Sequence, residues 1–163
     1  MPPIAKMDGN MAQLKKCKQL SLSTNNIDKL GSLAGMDSLE ILSLGRNGLT
    51  KLQNLDSVAG TLNQLWISYN NIDKLTGIDK LKKLKVLYMS NNNVSTWSEF
   101  ERLKELPELQ DLLFIGNPLE RTARDQGGKE AWRLEVLKRL PNLKMLDGEP
   151  VTEKDFGDSG APM

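Results

Sequence analysis

The chain has 163 residues, 22 Lys plus Arg against 21 Asp plus Glu, no histidine and one cysteine. That is enough chain for one domain with a sizeable core. The near-zero net charge gives no general attraction to nucleic acid or an anionic membrane. The missing histidine removes the commonest general base and metal ligand, and a lone Cys17 excludes an intramolecular disulfide. Apolar runs are too short for a membrane helix, and no apolar signal segment opens the chain. A reducing compartment follows as the expectation.

Residues 1–16 carry Ile4, Met7, Met11 and Leu14 at steps of three and four. Asp8, Gly9 and Asn10 interrupt them. A short turn or helix is expected, acting as a thin N-terminal cap.

From residue 17 one phrase recurs. Its clearest copy is Leu84, Leu87, Met89, Asn92 and Val94, the spacing L-x-x-L-x-L-x-x-N-x-L. Other copies are Cys17-Leu20-Leu22-Asn25-Ile27, Leu39-Leu42-Leu44-Asn47-Leu49, Leu62-Leu65-Ile67-Asn70-Ile72 and Leu109-Leu112-Phe114-Asn117-Leu119. The asparagines at 25, 47, 70, 92 and 117 are separated by 22, 23, 22 and 25 residues. That period and pattern define leucine-rich repeats. The fold class is therefore α/β: a solenoid with a parallel concave sheet and short convex helices. Residues 17–119 hold five repeats. Cys17 occupies a leucine slot and reads as a small buried apolar residue.

Asn25, Asn47, Asn70, Asn92 and Asn117 are expected to be structural. An amide both donates and accepts, so it can satisfy backbone groups left open where each strand turns. After each turn, apolar residues continue at steps of three, as in Ile27-Leu30-Leu33-Met36 and Ile72-Leu75-Ile78-Leu81. Short 3₁₀ or helical pieces fit that spacing. A fuller helix is expected from Trp97 to Leu106, stopped by Pro107.

Residues 120–148 read as a C-terminal cap. Glu120–Gly128 is polar and glycine-ended, and a loop is expected. An amphipathic helix from Lys129 to Leu140 follows, with Leu134, Leu137 and Leu140 on one face, and then a last strand-like piece to Gly148. Residues 149–163 are acidic, with Val151 and Phe156 as their sizeable apolar residues. Disorder, or order only on binding, is expected there.

No phosphate-binding glycine loop, nucleophile with a base, or paired-carboxylate site is present, so a non-enzymatic protein without cofactor or metal is expected. The basic run Lys80–Lys85 reads as a solvated face.

The informative surface is the outward side of the strands. One register aligns Ser21, Ser43, Trp66, Tyr88 and Leu113. The register before it holds Gln19, Ile41, Gln64, Val86 and Asp111, and the one after it Ser23, Gly45, Ser68, Ser90 and Ile115. Arg46, Tyr69 and Asn91 lie just beyond. Parallel strands stand about 4.8 Å apart, so Trp66, Tyr88 and Leu113 form an apolar row about 10 Å long. An aromatic row rimmed by serines suits the centre of a protein interface. Nucleic acid is disfavoured, because the row lacks interleaved cations. Candidate partner-binding residues are Ile41, Ser43, Arg46, Trp66, Ser68, Tyr69, Val86, Tyr88, Asn91, Asp111 and Leu113. A monomer is expected in isolation.

Five stretches carry a more specific resemblance: Leu20-Ser-Leu-Ser-Thr-Asn-Asn-Ile27, Leu42-Ser-Leu-Gly-Arg-Asn47, Leu65-Trp-Ile-Ser-Tyr-Asn-Asn-Ile72, Leu87-Tyr-Met-Ser-Asn-Asn92 and Arg139-Leu-Pro-Asn-Leu-Lys-Met-Leu-Asp-Gly148. The chain resembles the leucine-rich-repeat light chains of outer-arm axonemal dyneins over nearly its whole length. The resemblance implies a protein of the cytoplasm and ciliary or flagellar axoneme. It implies binding to a dynein heavy chain at the microtubule-binding tip of the stalk, near tubulin, and tuning of the motor. Members usually begin with a further N-terminal helical segment, so a truncated cap is an expectation. Their tail helix is commonly longer and basic. Here residues 147–163 set Asp147, Glu149, Glu153, Asp155 and Asp158 against Lys154, and the tail contact is not carried over. The alternative is a repeat adaptor of a phosphatase or a spliceosomal particle.

Overall fold

The computed structural model describes residues 13–159. Most of the expected N-terminal cap, including Ile4, Met7 and Met11, lies outside the described residues. Each coil contributes one short strand: β1 (Gln19–Ser21), β2 (Ile41–Ser43), β3 (Gln64–Trp66), β4 (Val86–Tyr88) and β5 (Asp111–Leu113). β6 (Met145–Leu146) and β7 (Glu149–Pro150) complete one seven-stranded sheet in sequence order. Pairing from β1 to β6 is parallel, and β6 pairs with β7 antiparallel.

The register follows the repeat. Leu20, Leu42, Leu65, Leu87, Leu112 and Leu146 lie side by side. Side chains alternate across a strand, so these six point to one face. From Leu42 onward they are fully buried. The three-residue steps on the far side give the same result: Ile27, Leu30, Leu33 and Met36 are buried, as are Ile72, Leu75, Ile78 and Leu81. Short 3₁₀ segments cover Asp56–Val58 and Ile78–Lys80. The far side of the first coil is built from turns instead.

The fourth coil carries α1 (Trp97–Phe100), which continues as a 3₁₀ segment over Glu101–Glu105. Thr96 caps its start by accepting the Glu99 N–H. Phe100 and Leu103 are buried, and the regular α-helix is shorter than the expected span to Leu106.

The C-terminal cap departs from two expectations. α2 runs from Pro118 to Arg139, with a break at Gly128 (φ 82°, ψ −178°). Residues 120–127, expected as a loop, are therefore helical. Pro118 sits at the first helical position, where its missing N–H costs nothing. Leu119 and the half-buried Ala123, four residues apart, give this polar segment its apolar contact. Past Gly128, Trp132, Val136, Leu137 and Leu140 are buried, whereas Leu134 is half-buried.

The second departure is the tail. Residues 149–159 include β7 and a 3₁₀ segment (Glu153–Ser159), not a disordered run. Arg133, 4% exposed, donates to both Asp155 carboxylate oxygens and to the carbonyls of Leu146 and Pro150. Val151 and Phe156 pack on the core. Acidic composition pointed to disorder, but one buried arginine supplies the missing partner. Residues 160–163 lie outside the described residues.

Aromatic rings seal this end. Phe114 stacks on Trp132 with centroids 5.6 Å apart, and Phe100 meets Phe114 edge-on at 5.1 Å. Trp97 stacks on Trp132 at 5.6 Å, and the Arg139 guanidinium covers Trp97 at 3.9 Å.

Candidate interaction face and its asparagine scaffold

The outward face is held in shape by the asparagines beneath its edge. Asn47 Nδ2 donates to Leu22 O and Leu44 O at 3.0 Å, while its Oδ1 accepts the Ile27 N–H at 3.0 Å. Asn70 repeats this with Leu44 O, Ile67 O and the Leu49 N–H. Asn92 uses Ile67 O, Met89 O and the Ile72 N–H. Asn117 uses Met89 O, Phe114 O and the Val94 N–H. Each amide thus ties its own coil to the preceding one. Asn25 donates to Leu22 O of its own coil at 2.8 Å.

The residue before each asparagine has a left-handed backbone: Thr24, Arg46, Tyr69 and Asn91 have φ of 55–59°, and Gly116 has φ 88°. This conformation costs a side-chain-bearing residue roughly 1–2 kcal/mol. At Gly116 a Cβ would collide with the Asn91 side chain, so glycine is required. Arg46 and Tyr69 instead carry large side chains at the strained position, and both are exposed.

The strands align the expected registers. Ser21, Ser43, Trp66, Tyr88 and Leu113 pair in sequence, as do Gln19, Ile41, Gln64, Val86 and Asp111. Trp66 and Tyr88 stack with centroids 6.1 Å apart and planes 21° inclined. Their polar tips are tethered: Trp66 Nε1 donates to Gln64 Oε1 at 3.2 Å, and Tyr88 OH donates to Asp111 Oδ2 at 3.0 Å. Burial, and then the Asp111 carboxylate, push the Tyr88 phenol above its usual pKa. The rings are therefore already fixed in one arrangement before any partner arrives.

Ile41, Val86, Asp111 and Leu113 are half-buried around the pair. Ser68 and Ser90 join through their hydroxyls at 2.9 Å. Two candidates sit differently from the rest. Ser43 is 7% exposed, so it offers almost no contact area. Asn91 has its side chain against Gly116. The rim adds two exposed apolar residues, Tyr69 (48%) and Ile115 (40%), of which Ile115 was not among the candidates. Its position in the third outward register was the available signal.

Asp147 is a structural residue that the repeat spacing does not mark. Its Oδ1 accepts the N–H groups of Phe114 and Ile115, and its Oδ2 accepts Trp132 Nε1–H at 2.8 Å. It caps the strand that would otherwise face a sixth repeat. The cleft of about 160 Å³ beside it has its charges paired within the cap, as Arg124–Glu120, Lys129–Glu149 and Arg133–Asp155. The basic run 80–85 buries Leu81 and Leu84, while Lys80 pairs with Asp56 and Lys82 with Glu105. Among the described residues, no three His, Cys, Asp or Glu side chains could hold a metal, and no helix is long and apolar enough to cross a membrane.

A parallel one-strand-per-coil sheet with an asparagine ladder defines a leucine-rich-repeat protein, a non-enzymatic kind of protein. A family model described as leucine-rich repeats in two copies matches residues 61–102. Dynein axonemal light chain 1 of Chlamydomonas reinhardtii is 60% identical over 151 residues, covering 93% of this chain and 76% of that protein. The Danio rerio and Homo sapiens proteins of the same name are each 56% identical, covering 98% and 95% of this chain and 82% and 80% of theirs. The chain belongs to the axonemal dynein light chain 1 family.

Among solved structures, a chain of the Drosophila melanogaster SNF/U2A′ complex superposes with a TM-score of 0.78 over 93% of this chain and 88% of that one. At 21% identity this likeness concerns the fold alone. A leucine-rich-repeat protein of Leptospira interrogans superposes with a TM-score of 0.68 at 27% identity, covering 88% of this chain and 34% of that one. The alternative of a phosphatase or spliceosomal adaptor is not favoured by relatives 54–60% identical that share the dynein name.

Proposed function

We propose that this chain is a non-enzymatic regulatory light chain of an axonemal outer-arm dynein, working in the ciliary or flagellar axoneme and made in the cytoplasm. It binds the heavy chain at the microtubule-binding tip of the stalk, close to tubulin, and tunes the motor. The observation that carries this reading is the pre-stacked Trp66–Tyr88 pair at the centre of the outward sheet. Family membership directs it toward dynein. An interface concentrates its energy in a few rigid aromatic anchors ringed by contacts that exclude water. Trp66, Tyr88 and Leu113 lie on three adjacent strands, with Ile41 and Val86 one register away, so a single helical element of the partner could cover them.

Titration calorimetry of the purified chain with a purified stalk-tip fragment tests this directly. Saturable binding at micromolar or tighter Kd is expected. Absence of binding, with capture of a phosphatase catalytic subunit or an RNA–protein particle from ciliated-cell extract, would replace the reading with its alternative.

A further inference from the structure

Four outward registers of five residues line β1–β5: the three above and the row Thr24, Arg46, Tyr69, Asn91 and Gly116. Of these twenty positions only Arg46 and Asp111 carry a formal charge. They stand in the two outermost registers, three strands apart. Asp111 already accepts the Tyr88 hydroxyl. Arg46 is exposed, and among the described residues no carboxylate pairs with it, whereas Arg102, Arg124, Arg133 and Arg139 each hold one.

Arg46 is nevertheless held in place. Its guanidinium lies 4.3 Å from the centroid of the Tyr69 ring. This cation–π contact engages the guanidinium carbon with the ring face and uses none of the guanidinium's N–H donors in a hydrogen bond to the ring's polar tip. A planar fork matches a carboxylate through two parallel hydrogen bonds. The apolar row, two registers away across the serines, would shield such a pair from water once covered, which strengthens it. A nucleic-acid backbone would need several cations along the groove, and this face has one.

We infer that Arg46, stacked on Tyr69, is a carboxylate receptor that takes an aspartate or glutamate side chain of the protein partner and so fixes how that partner lies across the sheet. The inference rests on the outward face being the heavy-chain site. Asp111, in the opposite outermost register, disfavours the reversed placement by like-charge repulsion with the same acid.

The test titrates the stalk-tip fragment against the full chain and its variants at 50 and 300 mM salt. Arg46→Gln should weaken binding about tenfold, the effect of losing ~1.4 kcal/mol, and should flatten its salt dependence. Arg46→Lys keeps the charge without the fork and should fall between. Arg46→Glu should bind worst, and one Asp→Lys or Glu→Lys change in the fragment should restore it. Unchanged thermal unfolding checks that each variant is folded; Tyr69→Leu, which removes the stack and keeps the charge, should give an intermediate loss. Binding by Arg46→Gln within twofold of wild type, or failure of every acidic reversal to rescue Arg46→Glu, overturns the inference. If Trp66→Ala still weakens binding in that case, the outward face remains the site and only the carboxylate receptor falls. If the unaltered chain does not bind the fragment, both readings fall.

Discussion

The Arg133 guanidinium grips the Asp155 carboxylate, with Nε to Oδ1 at 2.6 Å and a second N–H to Oδ2 at 3.1 Å. One partner lies in α2 and the other in the tail, so this pair closes the C-terminal cap. The Arg133 hydrogen bonds, with the Thr152 N–H assisting, hold the Asp155 carboxyl below its ordinary pKa. A carboxyl lowered in the folded state adds stability above its unfolded pKa of about 3.9, lost as pH falls toward the folded value. Asp155→Asn should therefore lower the unfolding midpoint between pH 5 and 8. The difference from wild type should shrink as pH falls below about 4. A constant difference down to pH 2 would show that the pair's ionisation is not what holds the tail.

Asn70→Ala should destabilise the solenoid by roughly 1–3 kcal/mol, because Leu44 O, Ile67 O and the Leu49 N–H lose their partner while buried. Chemical denaturation measures it. An unchanged midpoint would mean that water replaces the amide without cost.

Hydrogen exchange should be faster over Leu20–Ile27 than over Leu87–Val94. β1 has β2 as its sheet neighbour on one side, and Leu20 and Leu22 are half-buried. β4 lies between β3 and β5, and Leu87 and Met89 are fully buried. Terminal coils open at lower free energy than central ones. Equal protection in both segments would contradict this.

Trp66→Ala and Tyr88→Ala should each weaken binding of the stalk-tip fragment about tenfold or more, the shift that ~1.4 kcal/mol produces. Circular dichroism should show the solenoid intact, because both rings lie outside its buried core. Lys82→Ala should leave binding nearly unchanged, since Lys82 faces Glu105 away from the row. Loss with Lys82→Ala and none with Trp66→Ala would move the site to the other side of the coil.

Much of this was written locally. A repeat repeats its contacts, so Leu42, Leu65, Leu87 and Leu112 could be assigned inward, and Trp66 beside Tyr88 outward, by counting along the chain alone. The pattern determines which side of each strand a residue takes, because alternation and coil length leave one register. Tertiary structure decided what happens where the repetition stops. Residues 120–127 look like a loop by composition, yet Leu119 and Ala123 fold them into α2 against the last coil. The acidic tail looks disordered, yet Arg133, more than ten residues earlier in the chain, holds it. Asp147 replaces part of a missing sixth coil through bonds to Phe114, Ile115 and Trp132. Ser43 is covered where its slot alone would leave it open, and Arg46 finds Tyr69 across a strand rather than a carboxylate. These outcomes depend on single long-range contacts, whose partners no local period identifies.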